Sequence, residues 1–341
     1  MFEILLGTAL IAFGSALSGS FAMPMTRTKG WNWEHSWLAF CLFAYVVFPI
    51  VLSFIFAPGF MDVLASQSTS ALLWPFILGA MYGVANFSFG LSLKFLGLSL
   101  GYSISLGLSM VMGTLIPAIL DGRLSIMLTS EKGTFLICGL LTGILGVVIS
   151  AYSGYVKEKS EAVDTSERNF VKGIAATLFV GVVGSTHAFA IEQGNGIAND
   201  LAQAGVDPLF LSVPILIIIF GGSFISTAIC CIYLSIKAKT TSAFVCSDGD
   251  QRPIFKNYIF CAASGFLWFI NFIFYVMGRS RMGEFSFIAW GILMSLTIIC
   301  GTLWGVYRGE WRNATLNNKL IMYGGLVVLT VASFIIGMST N

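Results

Sequence analysis

The stretch Gly79–Lys94, GAMYGVANFSFGLSLK, and its echo at Gly265–Arg279, GFLWFINFIFYVMGR, decide the architecture. With one gap allowed, both run from a glycine to an aromatic residue three positions on, Tyr82 and Trp268. Both continue to Asn-Phe-x-Phe, beginning at Asn86 and Asn271, and both carry a basic residue eight places after the asparagine, Lys94 and Arg279. Two unrelated apolar helices rarely share four features in one order. Working outward in apolar segments of roughly 20 residues, the length that crosses a bilayer, gives ten: 2–23, 37–57, 72–94, 98–120, 134–155, 171–192, 208–236, 257–278, 285–307 and 319–338.

Composition agrees. Of 341 residues 57% are hydrophobic and 10% charged, with a mean hydropathy of +0.88, which excludes a soluble globular protein and leaves an all-α polytopic membrane protein embedded in the lipid bilayer. A net charge of +2 gives no footing for nucleic acid. The run 2–23 lacks a basic n-region and reads as a retained first helix rather than a signal peptide. The cysteines show no metal or disulfide spacing, and no obligate protein partner is evident.

The most charged stretch, VKEKSEAVDTSERN at 156–169, parts the segments five and five. An odd number of crossings turns a duplicated unit over, so the halves 1–155 and 171–341, joined by a cytoplasmic linker at 156–170, are expected to form two inverted five-helix repeats. Loops after odd-numbered segments hold 14 of the 18 basic residues. That bias makes them cytoplasmic and puts both termini outside a bacterial inner membrane.

Polar groups at mid-depth must face the bundle interior or a water-filled space. Asn86 and Asn271 are expected about 5 Å either side of the membrane centre. A carboxamide both donates and accepts, as a sugar hydroxyl does, and aromatic faces cover the C–H face of a pyranose. Asn86, Asn271, Trp268, Tyr275, Trp290 and Tyr82 therefore form the expected binding set for a small neutral solute. Core packing is the rival reading for the tryptophans, and helix packing for the Gly and Ser stripes of these helices. For ion coupling, three ionisable residues stand in or beside apolar segments: His187 inside the sixth, Glu192 at its end and Glu284 before the ninth. Histidine is the one that changes charge near neutral pH. A cytoplasmic gate is expected around Glu34, Lys94 and Glu310. No Ser/His/Asp, HExxH or phosphate-loop pattern supports an enzyme or a bound cofactor.

Four stretches carry a family resemblance: Thr28–Glu34 (TKGWNWE), Gly79–Asn86 (GAMYGVAN), Gly205–Pro208 (GVDP) and Glu310–Ala314 (EWRNA). In that order they resemble the bacterial L-rhamnose–proton symporter family of the drug/metabolite transporter superfamily. The resemblance implies a ten-helix fold of two inverted halves and uptake of a deoxy sugar with H+ as the coupling ion. This chain has Gly30 where the family pattern has a second basic residue, and Ser286 where it has an acidic one. Either Glu284 substitutes for that acid or the chain differs in ion or substrate. The leading expectation is secondary active symport of a neutral deoxy sugar by alternating access. A metabolite or drug exporter of the same superfamily and a membrane solute sensor are the alternatives.

Overall fold

The computed structural model describes residues 2–120, 130–160, 169–246, 251, 253–282 and 289–338. Among the described residues every regular element is helical. In chain order they are α1 (Phe2–Ser20), α2 (Ala22–Met25), α3 (Trp33–Cys41), a π-helical segment (Leu42–Val47), α4 (Phe48–Phe56), α5 (Phe60–Ser66), α6 (Thr69–Leu96) and α7 (Leu98–Leu120). Then come α8 (Glu131–Ser160), α9 (Phe170–Val183), α10 (Thr186–Gln193), α11 (Asn195–Gln203), α12 (Ser212–Lys237), a 3₁₀ turn (Thr241–Phe244), α13 (Ile254–Arg281), α14 (Ala289–Tyr307) and α15 (Leu316–Met338).

Seven helical stretches among the described residues are long and apolar enough to cross a membrane, and three shorter apolar helices, Leu98–Met112, Phe170–Val183 and Gly291–Tyr307, lie within the fourth, sixth and ninth expected segments. Large apolar side chains such as Leu145, Val148, Ile229, Phe255 and Val327 stand exposed along these helices. In water each would forgo about 1.5–3 kcal/mol of burial; facing lipid, they lose nothing. The chain is a polytopic helical membrane protein.

The sixth segment was expected to run unbroken over 171–192. It is interrupted by a turn at Gly184–Ser185. Glycine is a poor helix former, and the Ser185 hydroxyl bonds back to the Val182 carbonyl at 2.8 Å, a contact that bends helices. His187 therefore lies in the first turn of a new helix. The first segment breaks at Phe21, three residues before Pro24, whose ring has no N–H to return to the preceding turn. The π segment ends beside Pro49, which likewise cannot donate to Tyr45 carbonyl, and the wider turn accommodates that gap. Pro214 falls in the first turn of α12, where its missing N–H is harmless and no kink is needed.

The helices sort into two compact units that cut across the sequence halves. The first comprises Met1–Ser20, Ser88–Ser185 and Phe274–Asn341, and the second Phe21–Phe87 and Thr186–Ile273. In the first, α7 places Leu100, Ile104 and Leu108 against Leu326 and Leu329 of α15. Ser153 of α8 donates to the Asn318 side-chain oxygen of α15 at 2.9 Å. In the second, α6 and α12 meet backbone to backbone: a Cβ on Gly79 would strike the Ile219 carbonyl and one on Gly222 the Phe76 carbonyl. The Ser223 and Thr227 hydroxyls donate across the contact to the Gly79 and Gly83 carbonyls at 2.7 and 3.1 Å. This is small-residue packing as membrane helices use it.

Candidate functional site

The second unit gathers most of the expected binding set. Asn86 and Asn271 are both buried. The Asn86 amide donates to the Tyr45 hydroxyl, and the Asn271 amide to the Trp268 carbonyl on its own helix. Around them lies one aromatic cluster with Phe220 at its centre. Tyr45 stacks on Phe220 at 5.0 Å, and Trp268 stands 5.4 Å from both rings. His187 lies parallel to Phe220 within 2° at 5.6 Å. Tyr82 covers the imidazole at 4.5 Å, and Phe272 touches both His187 and Trp268. Such ring pairs contribute about 0.5–1.5 kcal/mol each beyond burial, which holds the cluster in one arrangement.

Both ring nitrogens of His187 are buried and without a hydrogen-bond partner. An orphaned polar group of this kind costs about 1–3 kcal/mol. Its two ring nitrogens therefore hold unused hydrogen-bonding capacity, one donor and one acceptor, that a water or a solute hydroxyl would satisfy.

Other expected residues fall elsewhere. Tyr275, one turn beyond Asn271, belongs to the first unit, where it packs against the cluster of Ile11, Met282, Ala289, Ile292 and Leu293. Trp290 lies within α14, also in the first unit, with its side chain outside the described residues. Glu284 falls among residues 283–288, outside the described residues. Glu192 is exposed near the end of α10.

The gate residues have defined surroundings. Glu34 is buried and accepts from the Asn32 amide at 3.1 Å. Lys94 lies half-buried in the last turn of α6. Glu310 caps α7: its carboxylate oxygens accept from the Leu98 and Ser99 N–H groups at 2.7 and 3.0 Å. There an anion meets the positive end of the helix dipole. Gly97, at φ +83°, leaves room for that carboxylate, which a Cβ would crowd at 2.8 Å.

Residues 28–34 form a fastened loop. Asn257 accepts from the Lys29 N–H at 3.0 Å and donates to the Lys29 carbonyl at 2.8 Å. Trp31 donates to the Ala243 carbonyl at 2.8 Å. His35 accepts from the Asn32 N–H at 3.1 Å through Nδ1, so Nε2 carries the proton it shares with the Thr240 carbonyl at 3.0 Å. This histidine is engaged on both sides, whereas His187 is engaged on neither.

Two members of the site, Tyr45 and Phe220, escaped sequence reasoning. The signals that bear on them are Pro49, just after the π turn that carries Tyr45, and Gly221-Gly222, which lets α12 approach α6 beside Phe220.

Membrane-length apolar helices, with a buried amide-and-aromatic cluster in the second unit, define a polytopic membrane protein. Comparison with known proteins gives the family. The family model described as L-rhamnose-proton symport protein (RhaT) matches residues 2–341, and the chain belongs to that family of membrane transport proteins. It is 30% identical over 326 residues to the L-rhamnose-proton symporters of Escherichia coli O17:K52:H18 (strain UMN026 / ExPEC) and Shigella dysenteriae serotype 1 (strain Sd197), covering 95% of this chain and 95% of each relative. No solved structure matches.

Proposed function

We propose that the chain carries a neutral deoxy sugar such as L-rhamnose into the cell together with a proton, by alternating access. The observation that carries this reading is the convergence, inside one compact unit, of Asn86, Asn271, Trp268 and Tyr82 with the partnerless His187. The amides offer donors and acceptors to sugar hydroxyls, the rings offer faces to its C–H surface, and the imidazole offers a lone pair to the proton. The relatives' printed name, L-rhamnose-proton symporter, favours the same pairing of solute and ion.

The architecture proposed is ten membrane segments in two inverted halves, 1–155 and 171–341, with both termini outside the inner membrane. The unit boundaries support it: they fall after Phe87 in α6 and after Ile273 in α13, immediately past the two aligned asparagines. A duplicated unit would break its third helix at the same place twice. For the gate, Glu34, Lys94 and Glu310 remain the proposed residues, and Glu310 would act through the helix cap it makes.

The deciding experiment uses the purified full chain in proteoliposomes with labelled L-rhamnose and an inward proton gradient. Accumulation above the equilibrium level, abolished by a protonophore, is the expected result. Rhamnose uptake indifferent to the gradient removes the proton from the reading. Binding without counterflow converts the protein to a sensor, and outward movement of another metabolite with no sugar transport makes it an exporter.

A further inference from the structure

Symport demands that proton and solute sites sense each other: if a proton on one site changes affinity at the other, the reverse holds by the same factor. The proposed proton group, His187, and the proposed sugar amide, Asn86, must therefore be linked through something both arms touch. Phe220 meets that requirement. Its ring is fully buried and nearly parallel to two others. One is the His187 imidazole, at 5.6 Å and 2°. The other is Tyr45, at 5.0 Å and 22°, whose hydroxyl receives the Asn86 amide.

We propose that Phe220 is the positioning residue that couples proton occupancy at His187 to the availability of the Asn86 amide; this rests on the symport reading above. The physical step is a change in ring attraction. A neutral imidazole on the Phe220 face is held by dispersion alone, but an imidazolium is also drawn to the electron-rich face of the ring. Because Phe220 stacks on both rings in a close-packed interior, a shift that tightens its contact with one alters its contact with the other. Protonation pulls Phe220 toward His187 and away from Tyr45. The Tyr45 hydroxyl then yields the Asn86 amide to a sugar hydroxyl. Only an N–H bond on the imidazole forms and breaks, the proton arriving from one side of the membrane and leaving to the other.

The rings facing His187 are Tyr82, Phe220 and Phe272. Of these only Tyr82 titrates, and Tyr45 and Cys41 stand one helix away on the α3-to-π segment. On the imidazole's own helix the charged residue is Glu192, which is exposed. The link therefore runs through ring contacts rather than through a carboxylate.

The test uses Phe220→Leu, which keeps bulk and removes the ring, and Phe220→Tyr, which keeps the face, in full-length protein reconstituted as above. Three quantities are read: proton-driven L-rhamnose accumulation, rhamnose counterflow, and the pH dependence of rhamnose affinity. Phe220→Leu should lower accumulation about tenfold, in the ordinary range for two linked sites. Counterflow should fall by much less and the pH dependence of affinity should flatten, while Phe220→Tyr retains all three. A Leu variant with intact accumulation and pH dependence overturns the proposal. So does a Leu variant that loses counterflow as fully as accumulation, or a Tyr variant as defective as Leu. If Phe220→Leu fails to assemble, Phe220→Met carries the same expectation, and failure of both makes the ring a core residue only. Wild-type uptake indifferent to a proton gradient breaks the symport reading instead, and is distinguishable because it needs no variant.

Discussion

The two ionisable side chains that have the most to say, Glu310 in the first unit and His187 in the second, make opposite use of burial and backbone. Glu310 spends both carboxylate oxygens on the N–H groups that begin α7 and have no partner within the helix. His187 opens α10 with two buried nitrogens and nothing bonded to them. The first unit places its charge where local structure asks for it. The second leaves an orphan in its aromatic cluster, between Phe220, Tyr82 and Phe272. An isolated polar group in an apolar interior is retained at a cost in stability, so the contrast sets a residue whose contacts support a helix end against the one proposed to carry the proton.

The largest effect should come from the orphan. His187→Gln keeps a polar side chain of similar reach but cannot take a proton. Proton-driven rhamnose accumulation should be lost altogether while counterflow continues, measured side by side in the same proteoliposomes. Normal accumulation in this variant would shift the coupling role to Glu192 or Glu284 and dissolve the contrast. Next in size, Asn86→Ala leaves both the Tyr45 hydroxyl and a sugar hydroxyl without their partner. It should weaken rhamnose binding by about 1–3 kcal/mol, read by direct binding to purified protein. Asn271→Ala should fall in the same range, because the amide it removes is buried in the same cluster. Unchanged affinity in both variants would remove the site from the second unit.

Much of this arrangement was legible in the sequence. The bilayer leaves helices as the natural element for long apolar runs, so helix positions followed from hydropathy, and the paired Gly-to-Asn motifs singled out Asn86, Trp268 and Asn271, which lie together in the second unit. What escaped has physical causes. Phe220 and Tyr45 are one of 30 phenylalanines and one of 10 tyrosines, and nothing local distinguishes a ring at the centre of a cluster from one facing lipid. The break before His187 depends on Gly184 and Ser185, residues that many membrane helices tolerate unbroken. Tyr275 shows the sharpest limit. Four residues after Asn271 it shares that residue's helix face, yet the boundary after Ile273 gives the two different neighbours. Periodicity assigns a side chain to a face and is silent on what the face meets. The loop motifs raise the same point: Glu310 and Trp31 stood in the stretches that carry the family resemblance, and their structural use as cap and clasp is a matter of distant backbone.

Two smaller effects sharpen the comparison. Glu310→Gln retains one acceptor for the α7 N-terminus but loses the charge that the helix end favours, so stability should drop by about 0.5–2 kcal/mol. The readout is a melting temperature several degrees lower in detergent, with rhamnose affinity changed little. A large fall in accumulation at unchanged melting temperature would instead give Glu310 a direct part in gating. Smallest of all, Tyr275→Phe should alter rhamnose affinity by less than about 0.5 kcal/mol, because the hydroxyl it removes bonds Arg279 rather than a residue of the aromatic cluster. Its ring lies among Ile11, Met282 and Ile292, and the Phe variant keeps that ring. If affinity falls as far as in Asn86→Ala, Tyr275 itself belongs to the binding set, and the aromatic cluster around Phe220 is not the whole of it.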